Sequence, residues 1–456
     1  MSANDSPEVV DRGVLRFLTA GSVDDGKSTL IGRLLYDTKA ILADQLAAVE
    51  RTSQRRGQVL DLSLFTDGLV AEREQGITID VAYRYFATAV RKFIIADAPG
   101  HEQYTRNMVT AASTAQLAIL LVDACHGVVS QTRRHATLAH LLGIPHLVVA
   151  VNKMDLADYR EDAFKRIVDE FLAFAERSGI DDVRFVPMSA LAGDMVVDRG
   201  SRLDWYDGPT LLEILETVEV PRTLAGGPLR FPVQYVARPT AALPRGYMGR
   251  IESGSIAVGD KVAALPSGLP THIGEIRTWN GTRQRAGLHE AVTLVLDDEL
   301  DISRGDMLVG CAAPPAVSRS VDATVCWLGD APLDSHRKYL LRHTTREARA
   351  RIDRIDHLWN VATQTREPAP RTLVRNDIGR VALSLAQPVF VDRYAENVTT
   401  GSFILIDEST NNTVAAGLIV SATNPSHAAR VAFPDGDAAR QGPGTRCCSS
   451  GWERDG

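Results

Sequence analysis

Residues 21–28 read Gly-Ser-Val-Asp-Asp-Gly-Lys-Ser, between an apolar run at Leu15–Ala20 and a stretch that sets Leu30, Ile31, Leu34 and Leu35 on one face of a helix. The spacing G-x-x-x-x-G-K-[ST] in that context dictates a strand, a tight loop and a helix in sequence. Gly21 and Gly26 let backbone N–H groups turn inward, and the helix that follows offers its positive end, so the segment is predicted to cradle phosphate. Lys27 places a point charge for the β- and γ-phosphates, and Ser28 offers a hydroxyl to Mg²⁺. The predicted nucleotide contacts here are Gly21, Ser22, Val23, Asp24, Asp25, Gly26, Lys27, Ser28 and Thr29.

Three further motifs follow in order. Asp97-Ala98-Pro99-Gly100-His101 comes directly after the apolar run Phe93–Ala96. A carboxylate at that strand end can hold Mg²⁺, usually through water, and the Gly100 N–H can sense the γ-phosphate. His101 either orients the attacking water or caps the helix that begins near Glu102; because its neighbours already fix the site, the catalytic role is expected. Within Glu72–Ile79, the Thr78 hydroxyl can complete the Mg²⁺ shell. Taken alone that stretch reads as an edge strand, and its place between the other two motifs favours a switch. Asn152-Lys153-Met154-Asp155 follows the run Leu147–Val151. The Asp155 carboxylate can accept from N1–H and the N2 amino group of guanine, while Lys153 lays its stem over the ring. Adenine lacks that amino group, and an unmatched buried carboxylate costs about 1–3 kcal/mol or more. Ser189-Ala190-Leu191 would close the pocket with a backbone N–H to guanine O6. Phosphate loop, switch and base motifs in this order predict binding and hydrolysis of GTP with Mg²⁺.

A chain of 456 residues is too long for one core and suits two to four domains. Residues 14–220 alternate near-continuous apolar runs (Phe93–Ala96, Leu117–Val122, Leu147–Val151, Val183–Met188) with helical stretches around Glu102–Ser113, Gln131–Leu142, Glu161–Arg177 and Thr210–Val218. Such runs read as strands of a parallel sheet covered on both faces. Gly and Pro cluster at Pro221–Pro228, and short strand-like runs follow at Phe231–Ala237, Gly249–Ser253, Lys261–Ala264, Val292–Leu296, Arg371–Leu373, Gly379–Leu385 and Ser402–Ile406. The expected fold is an α/β P-loop GTPase domain over 1–222 with a mostly parallel sheet and helices on both faces. Two small antiparallel β-barrels over 228–315 and 318–422 and a disordered tail over 423–456 complete it.

The net charge of −7 speaks against a dedicated nucleic-acid binder. Arg349, Arg351 and Asp353 alternate with Ala350 and Ile352, the pattern of a half-buried strand with a solvated face. Five scattered cysteines (125, 311, 326, 447, 448) show no metal or disulfide spacing, the adjacent Cys447 and Cys448 reading as unpaired surface thiols. No apolar run could span a bilayer, and residues 1–13 do not form a secretory signal, so the expected compartment is the cytoplasm.

Gly76-Ile77-Thr78, Pro99-Gly100-His101 and Asn107-Met108 resemble the translation-factor branch of GTPases, in which a GTPase domain precedes two barrels. Elongation factor Tu has His where this chain has Asp25, and Thr where it has Ser28. Residues Gly21–Asp37 instead resemble the GTPase subunit of bacterial ATP sulfurylase (sulfate adenylyltransferase subunit 1), as do Asp80–Phe86, Gln103–Met108, Phe231–Tyr235, Asp301–Asp306 and Thr400–Asp407. The likeness covers roughly residues 14–422. It implies a GTP-hydrolysing regulatory subunit partnered by a smaller catalytic subunit, in a heterodimer or higher assembly. GTP hydrolysis would be coupled to formation of adenosine 5′-phosphosulfate and pyrophosphate from ATP and sulfate. It further implies Gly21–Ser28 on phosphates, Ser28, Thr78 and Asp97 on Mg²⁺, Asp97–His101 on the γ-phosphate and water, and Asn152–Asp155 on guanine. Ala98 stands where that family often has Thr, and no second phosphate loop of an appended kinase is present. The alternative is an elongation-factor-like translational GTPase, against which Asp25, Ser28 and the acidic balance speak.

Overall fold

The computed structural model describes residues 13–41, 43, 44, 46, 47, 49, 51, 61–65, 81–99, 105–220, 226–238, 244–360, 363 and 365–423. The first part comprises β1 (Val14–Gly21), α1 (Lys27–Asp37), β2 (Ala82–Ala87), β3 (Lys92–Asp97), α2 (Thr105–Ala112), β4 (Leu117–Asp123), α3 (Ser130–Leu141), β5 (His146–Asn152), α4 (Glu161–Ser178), β6 (Val183–Pro187) and α5 (Leu211–Thr217). The strands lie in the order β2-β3-β1-β4-β5-β6. All neighbours run parallel except β2, which pairs antiparallel with β3. Every residue of β4 is buried, so helices cover the sheet on both sides, as the unbroken apolar runs require.

The helices follow their sequence signals. α1 buries Leu30, Ile31, Leu34 and Leu35. α4 buries Phe164, Ile167, Phe171 and Phe174 at helical spacing and stops at Gly179 in the left-handed conformation. α5 starts on a reciprocal capping box, in which the Glu213 N–H donates to the Thr210 hydroxyl and the Thr210 N–H to the Glu213 carboxylate.

The remainder is antiparallel. It runs β7 (Arg230–Ala237), β8 (Gly246–Arg250), β9 (Ile256–Ala257), β10 (Lys261–Leu265), β11 (Leu269–Thr278), β12 (Gly281–Arg283), β13 (Arg285–Ala286), β14 (Ala291–Leu296) and β15 (Met307–Gly310). The last group is β16 (Ala316–Trp327), β17 (Tyr339–His343), β18 (Arg346–Asn360), β19 (Thr365–Pro368), β20 (Ile378–Val391), β21 (Ser402–Ile406) and β22 (Thr413–Thr423). Pairing of β10 with β11 closes the first sheet on itself, and pairing of β17 with β18 closes the second, giving two barrels with separate cores.

Two strand expectations are corrected. The strand expected at Gly249–Ser253 is β8, which begins at Gly246 and ends at Arg250. Its glycines sit inside the strand, because a Cβ at Gly249 would lie 2.5 Å from the Pro232 carbonyl oxygen and one at Gly246 would lie 2.6 Å from Thr293 Cγ2. Arg371–Leu373 is not a strand; Leu373 is instead a fully buried plug in the core of the last barrel. The tail expected at 423–456 lies, beyond residue 423, outside the described residues, as do Cys447 and Cys448. The basic stretch forms β18 with Ala348, Ala350 and Ile352 buried and Arg349, Arg351 and Asp353 exposed. Its arginines are taken by acids: Arg349 by Glu408, Arg351 by Asp353 and Arg354 by Asp356.

The barrels are joined by Arg230, which donates two hydrogen bonds of 2.8 Å to Asp392, and by Arg346, which pairs with Asp306 at 3.1 Å and covers the Phe390 ring. Tyr394 ties the last barrel to the first domain by donating to the Leu142 carbonyl at 2.7 Å. No helix among the described residues is long and apolar enough to cross a membrane.

Candidate nucleotide-binding site

The predicted residues that are described gather at the carboxyl ends of the parallel strands, where an open α/β sheet presents its crevice. β1 ends at Gly21 and the loop Ser22–Gly26 leads into α1. Asp24 and Gly26 both take positive φ, 69° and 93°, which bends the chain tightly enough to aim amides inward. Asp25 is buried, and its carboxylate accepts the Ser22 N–H at 2.5 Å. Burial pushes the Asp25 carboxyl up, against the pull of that bond and of Lys27. Lys27 is folded against the loop itself, donating to the carbonyls of Gly21 (3.1 Å) and Ser22 (2.8 Å). Burial pushes its ammonium down, while Asp97, Asp25 and Asp24 hold it up. The ammonium is therefore pre-placed at the mouth of the loop. Ser28 and Thr29 follow in the first turn of α1, half-buried.

β3 delivers Asp97 to the same edge, where its buried carboxylate accepts the Thr19 hydroxyl at 3.3 Å. Ala98 donates its N–H to the Thr19 carbonyl and is fully buried; Pro99 follows it. Oxygen donors are what Mg²⁺ requires, and the Ser28 hydroxyl and the Asp97 carboxylate fit it. Thr78, Gly100 and His101 lie outside the described residues.

The base end is built from β5 and β6. Asn152 spans two loops, donating through Nδ2 to the Asp25 carbonyl at 2.8 Å and accepting the Ala190 N–H on Oδ1 at 2.9 Å. Lys153 takes φ 62°, and its ammonium reaches the carboxylate of Asp123 at 2.9 Å. Met154 is buried beneath. The Ser189 hydroxyl donates to Asp155 Oδ1 at 2.6 Å, fixing the carboxylate without filling its second oxygen. Within Ser189–Leu191, the stretch expected to offer a backbone N–H to guanine O6, the Ala190 N–H is engaged by Asn152, whereas Leu191 beside it is largely exposed.

Three contributors were not read from the sequence. Asp123 ends β4 and is only 4% exposed. Burial alone would raise its carboxyl, but Lys153, the Cys125 N–H and His126 hold it below the ordinary value. Arg33 of α1 donates to the carbonyls of Ala190 and Leu191, clamping the base loop to the helix that follows the phosphate loop. His135 of α3 is buried and bonded to Gln131; burial and the nearby Lys27 push its imidazole down to about 3. An acidic residue closing an apolar strand was the available signal for Asp123, since it repeats the situation of Asp97. Nothing in the local sequence marks Arg33 or His135.

Residues 12–221 match the family described as the elongation factor Tu GTP binding domain, and residues 320–420 match the GTP-eEF1A C-terminal domain-like family. Among solved structures, the chain is similar to sup35 complexed with GDP at 24% identity, covering 93% of this chain and 97% of that one, with a TM-score of 0.42. It is similar to sup35 complexed with GMPPNP at 24% identity, covering 90% and 94%, with a TM-score of 0.41. It is also similar to the bacterial selenocysteine-specific elongation factor EF-Sec at 21% identity, covering 90% of this chain and 58% of that one, with a TM-score of 0.43.

Proposed function

We propose that this chain, a GTPase of the translation-factor type with an elongation-factor-Tu-like GTP-binding domain over residues 12–221, uses GTP hydrolysis to drive sulfate activation. In this reading it is the regulatory subunit of sulfate adenylyltransferase and works beside a smaller catalytic subunit that forms adenosine 5′-phosphosulfate. That product forms strongly uphill from ATP and sulfate, so coupling to a second hydrolysis is chemically sensible. Residues Gly21–Thr29 take the phosphates, and Asp155, with Asn152, Lys153, Met154 and Ser189–Leu191, takes guanine. Ser28, Asp97 and Thr78 hold Mg²⁺, which when bound neutralises charge between the β- and γ-phosphates. His101 orients the attacking water.

The observation that supports the sulfate role is Asp25. Its carboxylate is 7% exposed and wired to the Ser22 N–H, inside the loop where elongation factor Tu carries His. The test is reconstitution of the chain with a candidate small subunit, following pyrophosphate release from ATP and sulfate with and without GTP. Release that is insensitive to GTP defeats the coupling role.

Both family matches carry elongation-factor descriptions, and they favour a translational GTPase over the sulfate role. That second reading is decided by GTP-dependent binding of aminoacyl-tRNA to the full chain. Binding that requires GTP establishes it, and its absence removes it.

A further inference from the structure

The last barrel meets the first domain along an apolar seam, where Cys326, Ile378, Ala416 and Leu418 face Val109, Leu138 and Leu142. Beside this seam, between α3 and the face formed by β18, β19 and β20, lies a cavity of about 530 Å³. That is the size of sites that hold small organic ligands.

Its polar wall is almost wholly made of donors. His357 stands opposite Arg380 on β20, and Trp359 opposite Arg366 on β19. Directly opposed residues share a sheet face, and so do residues two apart on one strand, so these four side chains stand on one face. Both arginines act on His357, whose imidazole is pushed down by burial and then by Arg366 and Arg380. Neither arginine has an ion-pair partner among the described residues. The Trp359 Nε1–H is buried without an acceptor among the described residues. Across the cavity α3 contributes His140 and Thr137. The one carboxylate in the lining, Asp356, already takes Arg354.

Unpaired cations, imidazoles and an orphaned indole N–H around one cavity leave acceptor positions unfilled, and a buried donor without a partner costs about 1–3 kcal/mol. An anion supplies those acceptors, and the indole and Ile378 offer an apolar surface beside them. We propose that this cavity binds a small aromatic anion, a flat ring bearing a phosphate or sulfate ester, with the ester oxygens on Arg366, Arg380 and His357 and the ring against Trp359. Such a ligand would bridge the first domain and the last barrel. The inference is independent of the sulfate-activation role.

The experiment is calorimetric titration of the full chain, preloaded with GDP and Mg²⁺ so that the nucleotide pocket is filled. The probes are 4-nitrophenyl phosphate and 4-nitrophenyl sulfate, which share a ring and differ in the ester. Saturable binding of either is expected below about 1 mM, and the tighter of the two identifies the ester. Arg366→Gln lies on an exposed position and leaves the barrel intact; it and Arg380→Gln should each weaken binding by about tenfold. Trp359→Phe keeps a ring and removes the donor, and should weaken binding by a few-fold. No saturable heat with either probe overturns the proposal, as does binding that Arg366→Gln leaves unchanged. Inorganic phosphate binding as tightly as the ring-bearing probes overturns the ring assignment.

Discussion

The side-chain amide of Asn152 occupies the space where a Cβ on Gly26 would stand: the two would be 2.5 Å apart. The same amide nitrogen donates to the carbonyl of Asp25, one residue earlier. Phosphate loop and base motif are therefore fitted to each other through one glycine and one asparagine.

Gly26→Ala is expected to cost nucleotide affinity twice over. An alanine at φ 93° is strained by about 1–2 kcal/mol, and its methyl group displaces Asn152. GTP affinity should fall by tenfold or more, on the order of 1.4 kcal/mol. Asn152→Ala should act through the same contact, since it leaves the Asp25 carbonyl and the Ala190 N–H unpaired at about 1–3 kcal/mol each. Fluorescent-nucleotide titration measures both, and an unchanged affinity in either variant would refute the coupling of the two loops.

In the proposed reading, base choice rests on Asp155. Asp155→Asn should shift preference from guanine to xanthine nucleotides, because the C2 oxygen of xanthine suits an amide donor. Ser189→Ala removes the 2.6 Å bond that orients the carboxylate and should weaken GTP by a smaller factor, about threefold to tenfold. Competition between GTP and XTP reads both, and an Asp155→Asn protein that still prefers GTP strongly would displace Asp155 from the base contact.

The sheet, its strand ends and the helices that cover it were legible because buried parallel strands must be unbroken apolar runs: Leu117–Val122 in sequence is β4 in space. The barrels were legible as a class and less so in detail. The strand expected at Gly249–Ser253 starts three residues earlier, because Gly246 lies within β8, where a neighbouring strand, and not a turn, forbids a Cβ. Leu373 looked like a strand residue because apolar burial alone does not distinguish a strand from a core plug. At the site, motif residues carry a local spacing that can be read. Arg33, Asp123 and His135 act across distances of sequence that no spacing records, and the scaffold role of Asn152 appears only when the loops at 21–28 and 189–191 are seen together.

His135 predicts a pH dependence. Its imidazole is held neutral down to about pH 3 by burial and by Lys27 and Arg134, whereas in the unfolded chain it titrates near 6.5. As pH falls below 6.5 the unfolded state takes up a proton that the folded state refuses, so stability is lost between 6.5 and 3. The slope is at most about 1.4 kcal/mol per pH unit. His135→Gln cannot charge and should flatten this part of the curve. Melting temperatures of both proteins between pH 7 and 4.5 provide the comparison, and parallel curves would exclude His135 as the source.

The Arg230–Asp392 pair adds a second loss of stability in acid, at a lower pH and from a carboxylate. Its side chains are 3% and 13% exposed, so removing one partner strands a charge between the barrels. Arg230→Ala should destabilise the chain by about 3–5 kcal/mol, far more than an exposed ion pair would. Burial alone would raise the Asp392 carboxyl, but the hydrogen bonds and charge of Arg230, with the Thr400 hydroxyl, hold it below the usual value. A depressed carboxyl contributes stability that is fully present above the unfolded pKa of about 3.9 and is lost as pH falls through the folded one. The difference between wild type and Arg230→Ala in denaturant midpoint should therefore be largest near pH 7 and shrink as pH falls, first as the buried Asp392 left without Arg230 takes up its proton in the variant and then as the paired carboxyl does so in the wild type. A difference that stays the same as pH falls would mean that Arg230 stabilises by packing under Ala313 and Leu229, whose carbonyls it also meets, and not by its charge.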